Sequence, residues 1–152
     1  MRVCFVLAFS GLVLSQPVQA NGKFRGDLVY TVPGCEKSGW CTLKKNFAYT
    51  DSEKRGWEAQ AGNITNGASI PSDLKPYFGN SFDADLVRAA VIHDHYCDRR
   101  VRPWYQTHWV FYDALLASGV DQFRAQLMLV GILIGGPKWI WMTKGKSCSQ
   151  AV

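Results

Sequence analysis

Residues 87–98, Val-Arg-Ala-Ala-Val-Ile-His-Asp-His-Tyr-Cys-Asp, constrain this chain more than any other stretch. They read as an apolar helical run that ends in groups able to carry protons or bind a cation. Leu86, Ala90, His93 and Cys97 recur at helical spacing, so one face of the helix carries an imidazole into the core. A buried imidazole needs partners for both ring nitrogens. Two of the three histidines sit in this run, and His108 follows fifteen residues after His93.

Three helices are expected. The first runs from Asp83 to Cys97, with Ser81 or Asp83 as N-cap. The second opens at Pro103, a good first-turn residue, and ends at Gly119, with His108, Phe111 and Leu115 on its buried face. The third runs from Asp121 to Ile134, with Phe123, Leu127, Val130 and Ile134 in register. It is apolar nearly all round from Leu127 onward, which predicts full burial. Gly135-Gly136-Pro137 ends it, and Ser72 to Asn80 reads as a turn or a one-turn helix.

The preceding residues favour strands. Phe24 to Val32 is rich in β-branched and aromatic types and is broken by Pro33-Gly34. Trp40 to Thr50 reads as a second strand, and a third runs from Trp57 towards Ile64 after a polar turn. The expected fold class is α+β: a small N-terminal antiparallel β-sheet packed on a C-terminal three-helix half, with two disulfides.

Arg2, the apolar run Val3 to Leu14 and the small residues of Val18-Gln19-Ala20 have the form of a secretory signal. Cleavage after Ala20 is expected, leaving residues 21–152 as a single domain, secreted or periplasmic. The apolar run is too short for a membrane span, which needs about 20 residues. Four cysteines would remain, Cys35, Cys41, Cys97 and Cys148, and an oxidising destination favours Cys35–Cys41 and Cys97–Cys148. The competing use of Cys97 is as a thiolate ligand beside His93. Loss of residues 1–20 removes one Arg and no acid, so the formal charge falls from +5 to +4. No basic stripe with interleaved aromatics appears, so nucleic acid is not an expected partner.

Consecutive helices with a short connection pack antiparallel, so the His93 and His108 rings can meet inside the pair. Asp94 projects about 100° around the helix from His93, and no direct bond between the two is expected. His95 lies off the apolar face and is expected to be exposed. Tyr112 and Asp113 read as a packing aromatic and a surface charge, and Asn63-Ile64-Thr65 matches a glycosylation sequon. The plain alternative for His93 is a core histidine bonded to a backbone carbonyl.

Thr65-Asn66-Gly67-Ala68-Ser69-Ile70-Pro71, then Arg88-Ala89-Ala90-Val91-Ile92-His93-Asp94, then Phe111-Tyr112-Asp113-Ala114-Leu115, then Gly136-Pro137-Lys138-Trp139 together resemble a bacterial and phage family, domain of unknown function 1353, over about residues 40–142. The loop and helix resemble the secreted phospholipase A2 enzymes more loosely. That second likeness implies His93 as general base to a water and Asp94 as calcium ligand. It also implies oxygens lent by Asn66 to Ser69, with His108 where an orienting carboxylate would stand. Two departures weigh against calcium: Asn66 replaces the acid of the family's usual Thr-Asp-Gly, and Cys97 stands where both families tend to carry Tyr.

The leading expectation is a cell-envelope hydrolase. His93, His108 and Asp94 would form its catalytic or metal-binding set, and Asn66, Gly67 and Ser69 its cofactor-binding loop. A divalent metal, zinc rather than calcium, would suit a His pair. The expected partner is an envelope component, peptidoglycan or lipid, with no transmembrane span in the mature chain. One rival is a non-catalytic, phage-derived binding or structural protein of the same fold. Another is an envelope-surface protein docked through Trp139 and Trp141, beside Lys138.

Overall fold

A computed structural model describes residues 21–139. The chain is α+β, with a small antiparallel sheet and four helices among those residues. Strands β1 (Lys23–Arg25), β3 (Phe47–Thr50) and β4 (Gly56–Ala59) form a three-stranded sheet in the order β1-β3-β4. Strands β2 (Cys41–Thr42) and β5 (Ile64–Thr65) pair separately, and both ladders are antiparallel. Helices α1 (Lys75–Phe78), α2 (Ala84–Arg99), α3 (Trp104–Ala117) and α4 (Gln122–Gly135) follow.

The strands are shorter than the sequence pattern implies. The expected strand from Phe24 to Val32 stops at Arg25, because Gly26 takes φ +83°, and only a single bridge from Tyr30 to Leu43 extends the pairing. The stretch from Trp40 to Thr50 splits into β2 and β3, and that from Trp57 to Ile64 splits at a turn where Gly62 has φ +85°. Within β3 and β4 the alternation is strict: Phe47, Tyr49, Trp57 and Ala59 point into the core.

Helix α2 is the centre of the fold. It packs on β4 and β5 on one side and on α3 on the other, and α3 in turn carries α4. Elements on both sides explain why the helix is buried almost continuously from Leu86 to Cys97. It ends where Arg100 adopts the left-handed conformation and returns its N–H to the Tyr96 carbonyl. Pro103 then starts α3, and Asp121 caps α4 by accepting the Arg124 N–H at 2.9 Å.

Helix α4 does not meet the expectation of full burial. Ala125 and Leu129 are its buried residues, while Phe123, Leu127, Val130 and Ile134 form an outward stripe, with Ile134 76% exposed. No described element covers that side. Trp139, expected at a lipid interface, is buried against Cys97 and Trp104 and donates its indole N–H to the Arg102 carbonyl at 2.8 Å. Trp141, Cys148 and the proposed signal at residues 1–20 lie outside the described residues. Among the described residues the disulfide is Cys35–Cys41, as expected, and the second expected pair, Cys97–Cys148, reaches outside them.

Candidate functional site

The sequence of α2 and α3 places His93 and His108 on facing surfaces, and their rings come together inside the helix pair. His93 Nε2 lies 3.1 Å from His108 Nδ1, and His108 Nε2 lies 3.2 Å from the Pro137 carbonyl oxygen. A carbonyl can only accept, so His108 Nε2 carries a proton. Burial, with the nearby His93, pushes His108 down to about 3, so near neutrality its Nδ1 is a bare acceptor. His93 Nε2 must then be the donor. Nδ1 is the one His93 nitrogen left to gain or lose a proton.

Asp94 faces that nitrogen. Its Oδ1 lies 3.6 Å from His93 Nδ1, which corrects the expectation that the two side chains diverge. The Cβ positions are about 100° apart, but α2 is enclosed, and both side chains turn towards the same cavity. At 3.6 Å the contact is an ion-pair distance rather than a hydrogen bond, so the lone pair stays open to a third group. Burial is the leading influence on Asp94 and raises its pKa, against the opposing pull of His93 and of the Thr65 hydroxyl.

Thr65 holds the carboxylate. Its Oγ1 donates to Asp94 Oδ2 at 2.6 Å and accepts the Gly67 N–H at 3.0 Å, so one fully buried hydroxyl joins the loop to the helix. Gly67 is required here. It takes φ +73°, and a Cβ would fall 2.2 Å from the Ser81 carbonyl oxygen, against which Ala68 N–H bonds at 2.8 Å. Gly67 and Ser69 line the cavity. Asn66 does not, and its Oδ1 is buried without a hydrogen-bond partner.

The cavity holds about 420 Å³, a usual size for a small-molecule site. His93 and Asp94 sit in its wall, with Ser69 the other polar side chain among mostly apolar neighbours: Ile70, Leu74, Phe78, Phe111, Met128 and Ile132. Gly131 and Gly135 of α4 complete the wall and leave it open, since a Cβ at either would meet nothing within 4 Å.

The expected zinc set does not converge. His93 presents Nε2 to His108 and Nδ1 to Asp94, so the donors run in a line instead of surrounding a point. Among the described residues the group of three donors close enough for a cation is Cys35, Glu36 and Cys41, whose two sulfurs are joined in the disulfide.

His95 is a second correction. It is buried, and its Nδ1 lies 3.1 Å from Asn63 Oδ1, a partner that helical periodicity cannot reveal. Burial, with Arg99 nearby, takes its pKa down to about 4. The same bond and the burial of Asn63 and Thr65 turn both polar residues of the Asn63-Ile64-Thr65 sequon inward, while Ile64 faces out. Asp113 accepts from the Tyr49 hydroxyl and from Ser52, tying β3 to α3 instead of standing as a free surface charge. Reading the sequence missed Thr65 and the Pro137 carbonyl as parts of the site. Thr65 stood in the loop motif as a possible signal, whereas a backbone carbonyl leaves no mark in a sequence.

The family described as protein of unknown function (DUF1353) matches residues 41–132, from β2 to most of α4. Two proteins of Sinorhizobium fredii (strain NBRC 101917 / NGR234) are similar. Uncharacterized protein y4iH is 44% identical over 107 residues, 70% of this chain and 45% of that protein. Uncharacterized protein y4jT is 32% identical over 102 residues, 67% of this chain and 30% of that protein. The chain therefore spans less than half the length of these curated relatives. No solved structure matches. With the Thr65–Gly67 loop, the His93-Asp94 helix and α3 all inside the matched span, the chain belongs to the DUF1353 family.

Proposed function

We propose that this protein is a hydrolase of the cell envelope in which His93 is the general base. The observation that carries this reading is the directed hydrogen-bond chain from His93 through His108 to Pro137, which reserves Nδ1 for proton exchange. A water bound beside Nδ1 gives it a proton, and its oxygen bonds to a carbonyl carbon of the substrate. The bond to the leaving group then breaks, and that group takes the proton back from Nδ1. Asp94, 3.6 Å away, stabilises the imidazolium formed in between.

His108 is a positioning residue: it fixes the tautomer of His93 and takes no proton itself. The Cys35–Cys41 disulfide accords with an oxidising compartment, and no described helix is long and apolar enough to cross a membrane. Replacing a general base removes about 10²–10⁴-fold of rate. His93→Ala is expected to lose that much against a panel of ester and amide substrates while its melting transition stays cooperative. A variant as active as the parent ends the hydrolase reading.

The rival, a binding protein of the same fold, draws on the contact of both His93 nitrogens with protein groups. It predicts a retained cavity ligand and no turnover in the parent chain.

A further inference from the structure

We propose that the cavity takes a neutral carboxylic ester of an apolar acid, with the ester group against His93 and Asp94 and the apolar chain running out beside α4. This names the substrate class of the His93 site. Its chemistry rests on the hydrolase reading above, whereas the choice of an uncharged, apolar ligand stands on the lining alone.

The lining is polar at depth and apolar towards solvent. His93 and Asp94 are 6% and 5% exposed. The exposed lining residues, Ser69, Pro71, Leu74, Leu127, Gly131 and Gly135, come from two segments, so the cavity opens between the 69–74 stretch and α4. A ligand that fits this gradient carries one polar group at its inner end and an apolar body behind it. Gly131 and Gly135 lie one helical turn apart on the cavity side of α4. Glycine weakens a helix relative to alanine, and at neither position would a Cβ meet anything, so packing does not require it there. What the two glycines supply is width for the ligand.

Charge narrows the class. Among the described residues that line the cavity there is no Lys or Arg. Arg124, the cation of α4, is committed to Asp85 and to the Phe78 carbonyl. An anion would therefore lose its hydration with no countercharge in reach, and next to a carboxyl group. A glycan carries more hydroxyls than Ser69, His93 and Asp94 can satisfy, and each one left unpaired costs affinity. An ester has no charge and one compact polar group. Its hydrolysis breaks the acyl C–O bond, with the oxygen of water ending in the acid and its hydrogen on the alcohol. The acid then ionises and loses the fit that the ester had, so the site sheds its own product.

The test is calorimetric titration of the purified full chain at pH 7 with octan-2-one, an ester isostere that water does not cleave, and with octanoate. The ketone is expected to bind at least tenfold more tightly than the anion. Equal binding of the two, or no binding of the ketone, overturns the proposal. Octan-2-one is also expected to shift the His93 ring resonances and leave those of His95, which lies outside the lining, in place; the reverse overturns the location. Gly131→Leu and Gly135→Leu, where they melt like the parent, are expected to weaken ketone binding at least tenfold, and undiminished binding in both places the ligand elsewhere and overturns it too. Release of octanoic acid from ethyl octanoate separates the two readings. Ketone binding kept, with the parent and His93→Ala equally inactive, leaves the ligand class standing and removes the hydrolase.

Discussion

Two buried aspartates show how differently this molecule treats the same side chain. Asp51, at the turn between β3 and β4, is 2% exposed, and Asp94, at the junction of β5 and α2, is 5% exposed. Asp51 accepts three hydrogen bonds, from Arg55 N–H at 2.8 Å, Arg55 Nε at 2.7 Å and Trp57 Nε1 at 2.8 Å. Burial alone would raise its pKa, but those donors outweigh burial and the pKa falls below the ordinary value. Asp94 accepts one bond, from Thr65, and looks at His93 across 3.6 Å, and its pKa rises. A carboxylate saturated with donors is a fastener. One left short of donors in a cavity wall keeps the capacity to bargain over a proton.

The comparison breaks most visibly at Asp94. Asp94→Asn keeps an acceptor for Thr65 and removes the charge, so steady-state assays should show about 10³-fold slower hydrolysis with an unchanged or higher melting temperature. A large loss of stability there would make Asp94 a second fastener. Asp51→Ala should behave oppositely. It strands the Trp57 indole N–H and costs on the order of 3 kcal/mol in urea denaturation, with the hydrolytic rate per folded molecule retained.

Acid sharpens the contrast at smaller amplitude. His95 and His108 have folded pKa values near 4 and 3, against 6.5 for an ordinary histidine. Between pH 6.5 and about 4 the unfolded chain binds protons that the folded chain refuses. Stability is therefore full above pH 6.5 and falls on acidification, by up to about 1.4 kcal/mol per pH unit for each histidine. Asp94 acts with the opposite sign. Its raised pKa makes the folded chain hold a proton longer, so its contribution is lost as pH rises. Asp94→Asn should consequently steepen the acid loss, measured as urea midpoints at pH 7, 6 and 5. The smallest effect is at Gly131, where Ala should stabilise the chain by up to about 1 kcal/mol, because its Cβ meets nothing.

Much of the helical half could be read from residue spacing. Pro103 and Asp121 mark the starts of α3 and α4 within a residue, and the facing of His93 and His108 follows from two periodicities and a short connection. Burial was less legible, because periodicity reports which residues share a face and not what covers it. The apolar run in α4 implied a covered helix, yet only Ala125 and Leu129 of it are buried, with Met128 and Ile132 partly so. Conversely, α2 is enclosed on several sides, so His95, off the apolar stripe, is buried as deeply as His93. The strands were overextended because β-rich composition persists through Gly26 and Gly62, where the backbone turns with positive φ. The His93–Asp94 contact needed side-chain directions that Cβ angles alone do not supply.

Gly136 gives the end of α4 a significance that its place outside the chemistry conceals. A Cβ there would fall 2.3 Å from the Ile132 carbonyl oxygen and 3.1 Å from His108 Nε2, so a side chain at this position would crowd both the helix end and the imidazole. One residue on, the Pro137 carbonyl sets the polarity of the whole hydrogen-bond wire. The wire therefore has an anchor at one end, just beyond α4, and a free terminal at the other, on α2. Without the Pro137 carbonyl nothing else among these contacts would fix which His108 nitrogen carries the proton. The direction of that chain is thus set by a backbone carbonyl beyond the end of α4, while its open end stands on α2.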